Sequence, residues 1–460
     1  MKDFHTIAIV GGGVSGSLTA LNLVRRGVPA RVVLIDPAPK PGLGLAYSTP
    51  SREHLLNVPA GKISAFPDKP GHFLEWLRKR CGNSVSADEF APRRVFGQYV
   101  QSLLDHASEI EHIRSTVLDC WMDSNKATLK LATGSYLTAN AVVLATGNFP
   151  AAELPGIDPS VKAAGIYAHS SWDKAAYAGL AADAPVTLIG SGLTAVDALL
   201  LLRERGHRGQ VTMMSRNGFL PRRHAPYQPL RACIIEGEAP QSARELLRFV
   251  HRAIRSGLPW RAVVDSLRER TNELWLALPH EEQRRFRRHL QRRWETVRHR
   301  MAPAVADRIE KELASGSLNV VSGKLLAVDY FAGGASVTIR TKQESTRVWR
   351  ASRVINCTGP NMDYTRVGSP LLDSLFEQGL IVPGPLRCGM WSDEKGALRS
   401  EDGTYSSVLF NIGPGRQGML LESIAVPELR TQAAELAAVL GAQVRTGAFL
   451  RPVRQLMTID

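Results

Sequence analysis

The chain has 460 residues, 44% hydrophobic and 22% charged, with a formal net charge of +14 and a pI of about 9.8. That length is enough for two or three domains with their own cores, and the composition is that of an ordinary soluble protein. Five cysteines without any Cys-x-x-Cys spacing argue against a disulfide framework, a zinc site and a dithiol redox centre, and no apolar run is long enough to span a bilayer.

Residues 6–10, Thr6-Ile7-Ala8-Ile9-Val10, are a short β-branched run that reads as a buried parallel strand. Gly11-Gly12-Gly13-Val14-Ser15-Gly16 follows, then a helical pattern over 17–26 closed by Gly27, then a second strand over 31–35 ending on Asp36. Strand, glycine turn, helix, strand and acid together form a dinucleotide fingerprint in its required context. Gly11 permits the tight turn, Gly13 lets a pyrophosphate approach the backbone, and Gly16 lets the helix pack on the strand. The helix N-terminus around Val14 and Ser15 offers N–H groups to phosphates, and Asp36 can accept from a ribose. A core strand this early leaves no room for a leader, so a cytoplasmic location is expected.

Gly42-Leu43-Gly44-Leu45-Ala46-Tyr47 and His54-Leu55-Leu56-Asn57-Val58-Pro59-Ala60 read as an ordered loop crossing the first ligand site. Helices are expected over 71–79 and 96–106, with Arg93 and Arg94 just ahead of the second, where they can meet phosphate or face solvent. Strand signals over 115–121 and 128–131 suggest a β-meander. Residues 141–148 form an apolar strand ending in Ala145-Thr146-Gly147, and Pro150, Pro155 and Gly156 mark a linker.

A second fingerprint begins at Val186. The strand Val186-Thr187-Leu188-Ile189 leads into Gly190-Ser191-Gly192-Leu193-Thr194-Ala195, and a helix runs on to Arg205. The next strand, over 210–214, ends on Ser215-Arg216 without an acid. A basic residue there favours a 2′-phosphate, and so NADPH over NADH.

Residues 241–313 are helical in pattern, with Phe249, Trp260, Leu267, Trp275, Phe286 and Trp294 at helical spacings. Arginines crowd one predicted helix from Arg284 to Arg300. As a nucleic-acid module this segment lacks any recognisable motif, so a solvated insertion covering a cleft is the expectation and nucleic acid is an unlikely partner. Strand signals return at 319–321 and 337–339, and Arg353-Val354-Ile355-Asn356-Cys357-Thr358-Gly359-Pro360 repeats the strand-then-Thr-Gly pattern. A last strand, over 408–412, turns at Gly413-Pro414, and a helix is expected to begin near Gly418 with its N-terminal dipole toward the first ligand site.

The predicted fold is therefore α/β, with two Rossmann-like dinucleotide-binding domains, the second inserted in the first, plus a helical insertion. The expected boundaries are an FAD-binding domain over 1–180 and 326–460, and an NADPH-binding domain over 181–325 that carries the helical insertion 236–315.

The chain resembles the two-dinucleotide flavoproteins, the class B flavin monooxygenases and amino-acid N-hydroxylases. More narrowly, it is similar to a bacterial FAD/NAD(P)-binding family. The loop 42–60, Phe73-Leu74-Glu75-Trp76-Leu77, Trp294 through Arg300 and Asn356-Cys357-Thr358-Gly359-Pro360 carry the closer resemblance. Class B enzymes have a Phe-x-Gly-x-x-x-His fingerprint. Ala163-x-Gly165-x-x-x-His169-Ser170-Ser171-Trp172 is similar, with Ala for Phe, and implies that His169 helps hold an inter-domain hinge.

The resemblance implies FAD on the first turn and NADPH on the second, with Thr146, Gly147, Gly359, Gly413 and Gly418 lining the cofactors. It implies an NADPH-dependent FAD monooxygenase that oxygenates a small nucleophilic substrate through a flavin C4a-hydroperoxide, with amine N-hydroxylation foremost and oxygen as co-substrate. Asn57 is the candidate catalytic side chain, its amide placed to hydrogen-bond a peroxide; its other reading is a brace before Pro59. No metal site or membrane partner is expected. The alternatives are an NAD(P)H-dependent flavin reductase or dehydrogenase without oxygen insertion, and a non-enzymatic nucleotide-sensing or nucleic-acid-associated protein.

Overall fold

In the computed structural model, which describes residues 5–123 and 125–447, the β-branched runs pair as two parallel sheets. The first has six strands, in the order Ala397–Arg399, Tyr405–Asn411, Ala141–Leu144, His5–Val10, Ala30–Ile35 and Ile110–Ile113. All neighbours run parallel except the edge pair Ala397–Arg399 and Tyr405–Asn411. His5–Val10 is central, with Ile7 opposite Val32 on one side and Ala141 on the other. The helix Val14–Arg25 joins the first two strands, and the long helix Val426–Thr446 packs against it.

The second sheet has five parallel strands, in the order Leu318–Ser322, Val211–Ser215, Val186–Ile189, Arg353–Asn356 and Tyr167–Ala168. Two antiparallel meanders complete the β-structure: Val117–Asp123, Lys126–Leu131 and Tyr136–Ala139 in one, Lys324–Phe331, Gly334–Arg340 and Thr346–Ala351 in the other. This is the doubly nested α/β architecture expected from the two glycine turns.

Two compact units result. One takes the chain up to Pro50, Val58–Asn148 and the chain from Met362 onward; the other takes Ser51–Asn57 and Phe149–Asn361. Residues 51–57, expected with the first fold, lie in the second unit, where His224 Nε2 is 3.0 Å from the Asn57 carbonyl oxygen, and so do residues 149–180 and 326–361. For the last two segments strand pairing is the reason. Tyr167–Ala168 bonds to Arg353–Asn356, which in turn bonds to Val186–Ile189, and Val328, Val337 and Ile339 share a core with Ile189 and Met214.

The helix expected to begin near Gly418 begins instead at Val426, with Pro427 in its first turn. Gly413–Arg416 form a single tight turn. Ser423 Oγ donates to the Gly413 carbonyl at 2.6 Å, and the Gly413 N–H donates to Gln432 Oε1 at 3.2 Å. These bonds hold the intervening residues as an ordered loop. The helix dipole foreseen at Gly418 is therefore not there.

Within the expected insertion 236–315 lie the helices Ala243–Arg255, Trp260–Ser266, Thr271–Leu276, His280–His289 and Gln291–Arg298, while a further helix, Pro303–Ala314, buries Ala306 and Ile309 in the core of the second sheet. The insertion's predicted apolar residues do meet. Leu267 and Leu274 are buried with Ile235 against Phe249 and Trp294, and Trp275 lies edge-on to Phe286 at 5.8 Å between ring centres. The Arg-rich run departs from the expectation in two ways. It is two helices, broken at Leu290, and Arg298 and Arg300 at its end are buried instead of solvated. Arg300 Nη2 donates to both oxygens of Asp265, at 2.5 and 2.7 Å, and the Tyr227 hydroxyl donates to the same carboxylate. Removing one member of a buried ion pair strands the other charge in a poor solvent. Asp265→Ala should destabilise the protein by about 3 kcal/mol, toward the low end for buried pairs because Asp265 is a quarter exposed, and Asp265→Asn by less. Urea unfolding followed by circular dichroism checks this; an unchanged midpoint would refute it.

Candidate dinucleotide sites

The first turn is pinned from both sides. Gly11 has φ +107°, and a Cβ there would overlap the Ala145 carbonyl oxygen at the end of the neighbouring strand. On the other side its N–H donates to the Ile35 carbonyl at 2.9 Å. Gly16 lies inside the helix, where a Cβ would overlap the Gly11 carbonyl oxygen. Gly13 is different. It caps the helix without a side-chain bond, and the nearest atom to a Cβ there is Gly44 Cα at 3.4 Å. Gly11 and Gly16 are thus required by backbone packing, whereas Gly13 leaves a cradle that a side chain would fill. The N–H groups of Val14 and Ser15 begin the helix, where no intrahelical acceptor exists for them.

Asp36 closes this turn. Its Oδ2 accepts from the Gly12 N–H at 2.6 Å and its Oδ1 from the Ala38 N–H at 2.8 Å. A cleft lined by Pro39, Lys40, Gln101 and His112 adjoins it, and His112 Nε2 is 3.2 Å from the Asp36 carbonyl oxygen. The loop after Asp36 is tied to the turn by the Gly42 N–H, which donates to the Gly12 carbonyl at 2.7 Å. Beneath the loop runs the helix Arg93–Asp105, with Gly97 against Leu43 and Tyr47. Arg94 sits in its first turn with Nε buried and no hydrogen-bond partner among the described residues, as suits an anion site.

The returning chain completes the first unit. Gly413 has φ +78°, and its Cβ would come 2.6 Å from Ser15 Oγ, so the tight turn lies on the start of the first helix. Asn411, only 1% exposed, has neither amide atom hydrogen-bonded among the described residues. Thr146 and Gly147 follow the strand Ala141–Leu144, and the Gly147 carbonyl accepts from the Tyr364 hydroxyl at 2.7 Å. Gly418 packs on the Cys388 carbonyl, which leaves no room for a Cβ. The predicted residues Gly11, Gly13, Val14, Ser15, Gly16, Asp36, Arg94, Thr146, Gly147, Gly413 and Gly418 thus share one compact unit.

The second turn repeats the construction. Gly190 has φ +129°, its Cβ would overlap the Cys357 carbonyl oxygen, and its N–H donates to Met214 at 2.7 Å. Gly192 caps the helix Leu193–Glu204, and Thr194 and Ala195 lie in its first turn. Ser191 Oγ is 2.8 Å from Ser215 Oγ and donates to the Phe219 carbonyl at 2.6 Å. This side-chain pair replaces the Gly12–Asp36 bond of the first turn and leaves Arg216 exposed at the strand end. Gly359, φ +90°, follows Thr358, whose Oγ1 donates to Asn356 Oδ1 at 2.7 Å.

Sequence reasoning did not single out Arg292, whose Nη2 lies 3.1 Å from the Cβ position of Gly192. The only signal was the arginine crowding around it. Asn57 lies in the second unit, where its carbonyl pairs with His224 Nε2 at 3.0 Å. His169 Nδ1 lies 3.4 Å from Glu153 Oε1, in the same unit.

Residues 8–149 match the FAD-NAD(P)-binding family. The FAD-NAD(P)-binding match begins in the central strand and ends one residue past Asn148, where the first unit breaks off. The uncharacterized protein YdhS of Escherichia coli is 26% identical over 295 residues, 54% of this chain and about half (53%) of that relative. Ornithine hydroxylase (PvdA) from Pseudomonas aeruginosa superposes with a TM-score of 0.65 at 18% identity, over 96% of this chain and 99% of its own. Cadaverine monooxygenase (DfoA) from Erwinia amylovora, solved with FAD bound, gives 0.63 at 14% identity, over 99% and 97%. At these identities what is shared is the fold, and it is shared over nearly the whole chain.

Two predictions follow from this geometry. Gly11→Ala forces a Cβ into a carbonyl at positive φ and should cost at least about 2 kcal/mol in unfolding free energy. Gly13→Val meets mainly the open cradle and should leave the unfolding midpoint nearly unchanged while abolishing retention of a yellow chromophore. Denaturant titration and absorbance read the two effects separately, and equal stability losses would contradict the division of labour. His224 supplies the pH dependence. Burial, with Arg300 nearby, pushes its pKa down to about 4. The unfolded chain takes up a proton near pH 6.5 and the folded one does not, so the stabilisation is full above 6.5 and is lost as pH falls from 6.5 to about 4. His224→Gln should therefore flatten the fall of Tm across that window, in part only, because burial also lowers His72 and His207. A slope identical to that of the unaltered protein would refute it.

Proposed function

We propose that this protein is an NADPH-dependent FAD monooxygenase acting on a small nucleophilic substrate, with amine N-hydroxylation as the leading reaction. The observation that carries this reading is the duplicated cradle, in which Gly11 under Ala145 and Gly190 under Cys357 are built alike but end in opposite charges, Asp36 and Arg216. The fold shared with an ornithine hydroxylase and a cadaverine monooxygenase supports the reaction class.

Bound FAD supplies oxygen activation and NADPH supplies its electrons. The chain binds and orients them. In the first unit the open face at Gly13 and the N–H groups of Val14 and Ser15 receive a diphosphate, Asp36 orients a ribose, and the adjoining cleft takes the adenosine end. Arg94 offers its free Nε to an anion. In the second unit the Gly190–Ala195 turn receives the nicotinamide dinucleotide, and exposed Arg216 meets its 2′-phosphate. Asn57 remains the candidate to position the reacting centre and His169 the candidate hinge residue.

The test is NADPH consumption with a panel of small amines, with and without oxygen. Oxygen uptake that tracks hydroxylamine formation, with consumption idle under nitrogen, is the expected outcome; undiminished anaerobic turnover with another acceptor would make the protein a reductase. Arg216→Ala should raise the KM for NADPH about tenfold and leave that for NADH unchanged. An equal effect on both would remove Arg216 from the 2′-phosphate.

A further inference from the structure

The arginine-rich helices carry one side chain to the heart of the second cradle. In a glycine turn of this kind the second glycine lacks a Cβ so that a diphosphate can approach the backbone. In the first unit that position, Gly13, faces only backbone, with Gly44 Cα at 3.4 Å from an added Cβ. In the second unit the corresponding position, Gly192, faces a guanidinium. Arg292 Nη2 and Nη1 lie 3.1 and 3.3 Å from the Cβ position, and Cζ lies at 3.7 Å. The helix Leu193–Glu204 opens there with no side-chain cap. A cation thus rests where the cradle's architecture calls for an anion.

The guanidinium is not locked in place. Arg292 Nη1 donates to Glu295 Oε2 at 2.9 Å, Glu295 Oε1 accepts from Gln291 at 3.0 Å, and both charged side chains are about one-third exposed. An ion pair this exposed is weak enough to exchange its carboxylate for a more highly charged partner. Arginine presents a planar fork that matches two phosphate oxygens at once.

We propose that Arg292 is a cofactor clamp: entry of a nicotinamide dinucleotide draws its guanidinium from Glu295 onto the diphosphate, against the Gly190–Ala195 turn. This rests on the reading of the second unit as a dinucleotide site. It gives the helical insertion a binding role that does not involve nucleic acid. The clamp acts on the diphosphate common to NADP+ and NAD+, whereas Arg216 acts on the 2′-phosphate that only NADP+ carries.

Equilibrium binding of NADP+, NAD+ and adenosine 2′-monophosphate to the full-length flavin-loaded protein tests it, by calorimetry and without turnover. Arg292→Ala should weaken NADP+ and NAD+ by the same factor, about tenfold or more, leave adenosine 2′-monophosphate unchanged, and make dinucleotide binding less salt-sensitive. Arg292→Lys, which keeps the charge and loses the fork, should recover part of the affinity. Arg284→Ala, on an exposed arginine of the preceding helix, should change nothing. Unchanged dinucleotide affinity in Arg292→Ala overturns the clamp. Tighter binding overturns it too, making Arg292 a plug, and equal weakening of all three ligands overturns the assignment to the diphosphate. Parent protein that binds flavin but neither dinucleotide removes the functional reading and the clamp together, and is distinguished because it is seen before any variant is compared.

Discussion

A glycine seated under a carbonyl oxygen is the contact on which both halves of this molecule depend. Gly11 lies under Ala145 and Gly190 under Cys357, each at a positive φ that an ordinary side chain rarely adopts. The carbonyl belongs in each case to the residue just before a Thr-Gly pair, so the two motifs are one device. The glycine lets the turn pass tightly over the end of the adjacent strand. That in turn sets the N-terminus of the next helix beyond the end of a central strand, where N–H groups lack intrahelical acceptors. Without this close approach the helix would start elsewhere and its unpaired N–H groups would not sit over the turn.

The two cradles differ in what closes them. In the first, a carboxylate ties the backbone, each oxygen accepting one N–H, from Gly12 or Ala38, and keeping acceptor capacity for a ribose. In the second, a serine pair does the tying, and the strand end is free to carry an arginine. The charge contrast read from Asp36 and Arg216 therefore has a structural counterpart. The acid is part of the turn, and the base is not.

The helical insertion joins two kinds of arginine that look alike in sequence. Arg284 pairs with Glu281 one turn away on an exposed face, as a solvated helix would have it. Arg300, just past the end of the helix Gln291–Arg298, is 3% exposed and is neutralised by Asp265 on the helix Trp260–Ser266. Arg292 is intermediate, tethered by a neighbour yet resting on a glycine of the second sheet's turn. Spacing alone does not separate these fates, because they depend on whether another part of the chain packs over the arginine.

Local order was legible in the chain itself. A strand of β-branched residues, a glycine where no Cβ fits and a helix with a free N-terminus are short-range constraints, so both fingerprints and both Thr-Gly strand ends could be found by reading along. The sequence by itself thus determined that there are two nucleotide folds, one nested in the other, and that the strands after their first helices end on residues of opposite charge. Tertiary structure alone decided the rest. Pairing of Tyr167–Ala168 with Arg353–Asn356 moved the border between the units, bonds from Ser423 and Gln432 delayed the last helix to Val426, and packing of the insertion brought Arg292 onto Gly192. Those outcomes rest on contacts between residues far apart in the chain, whose partners no local pattern names.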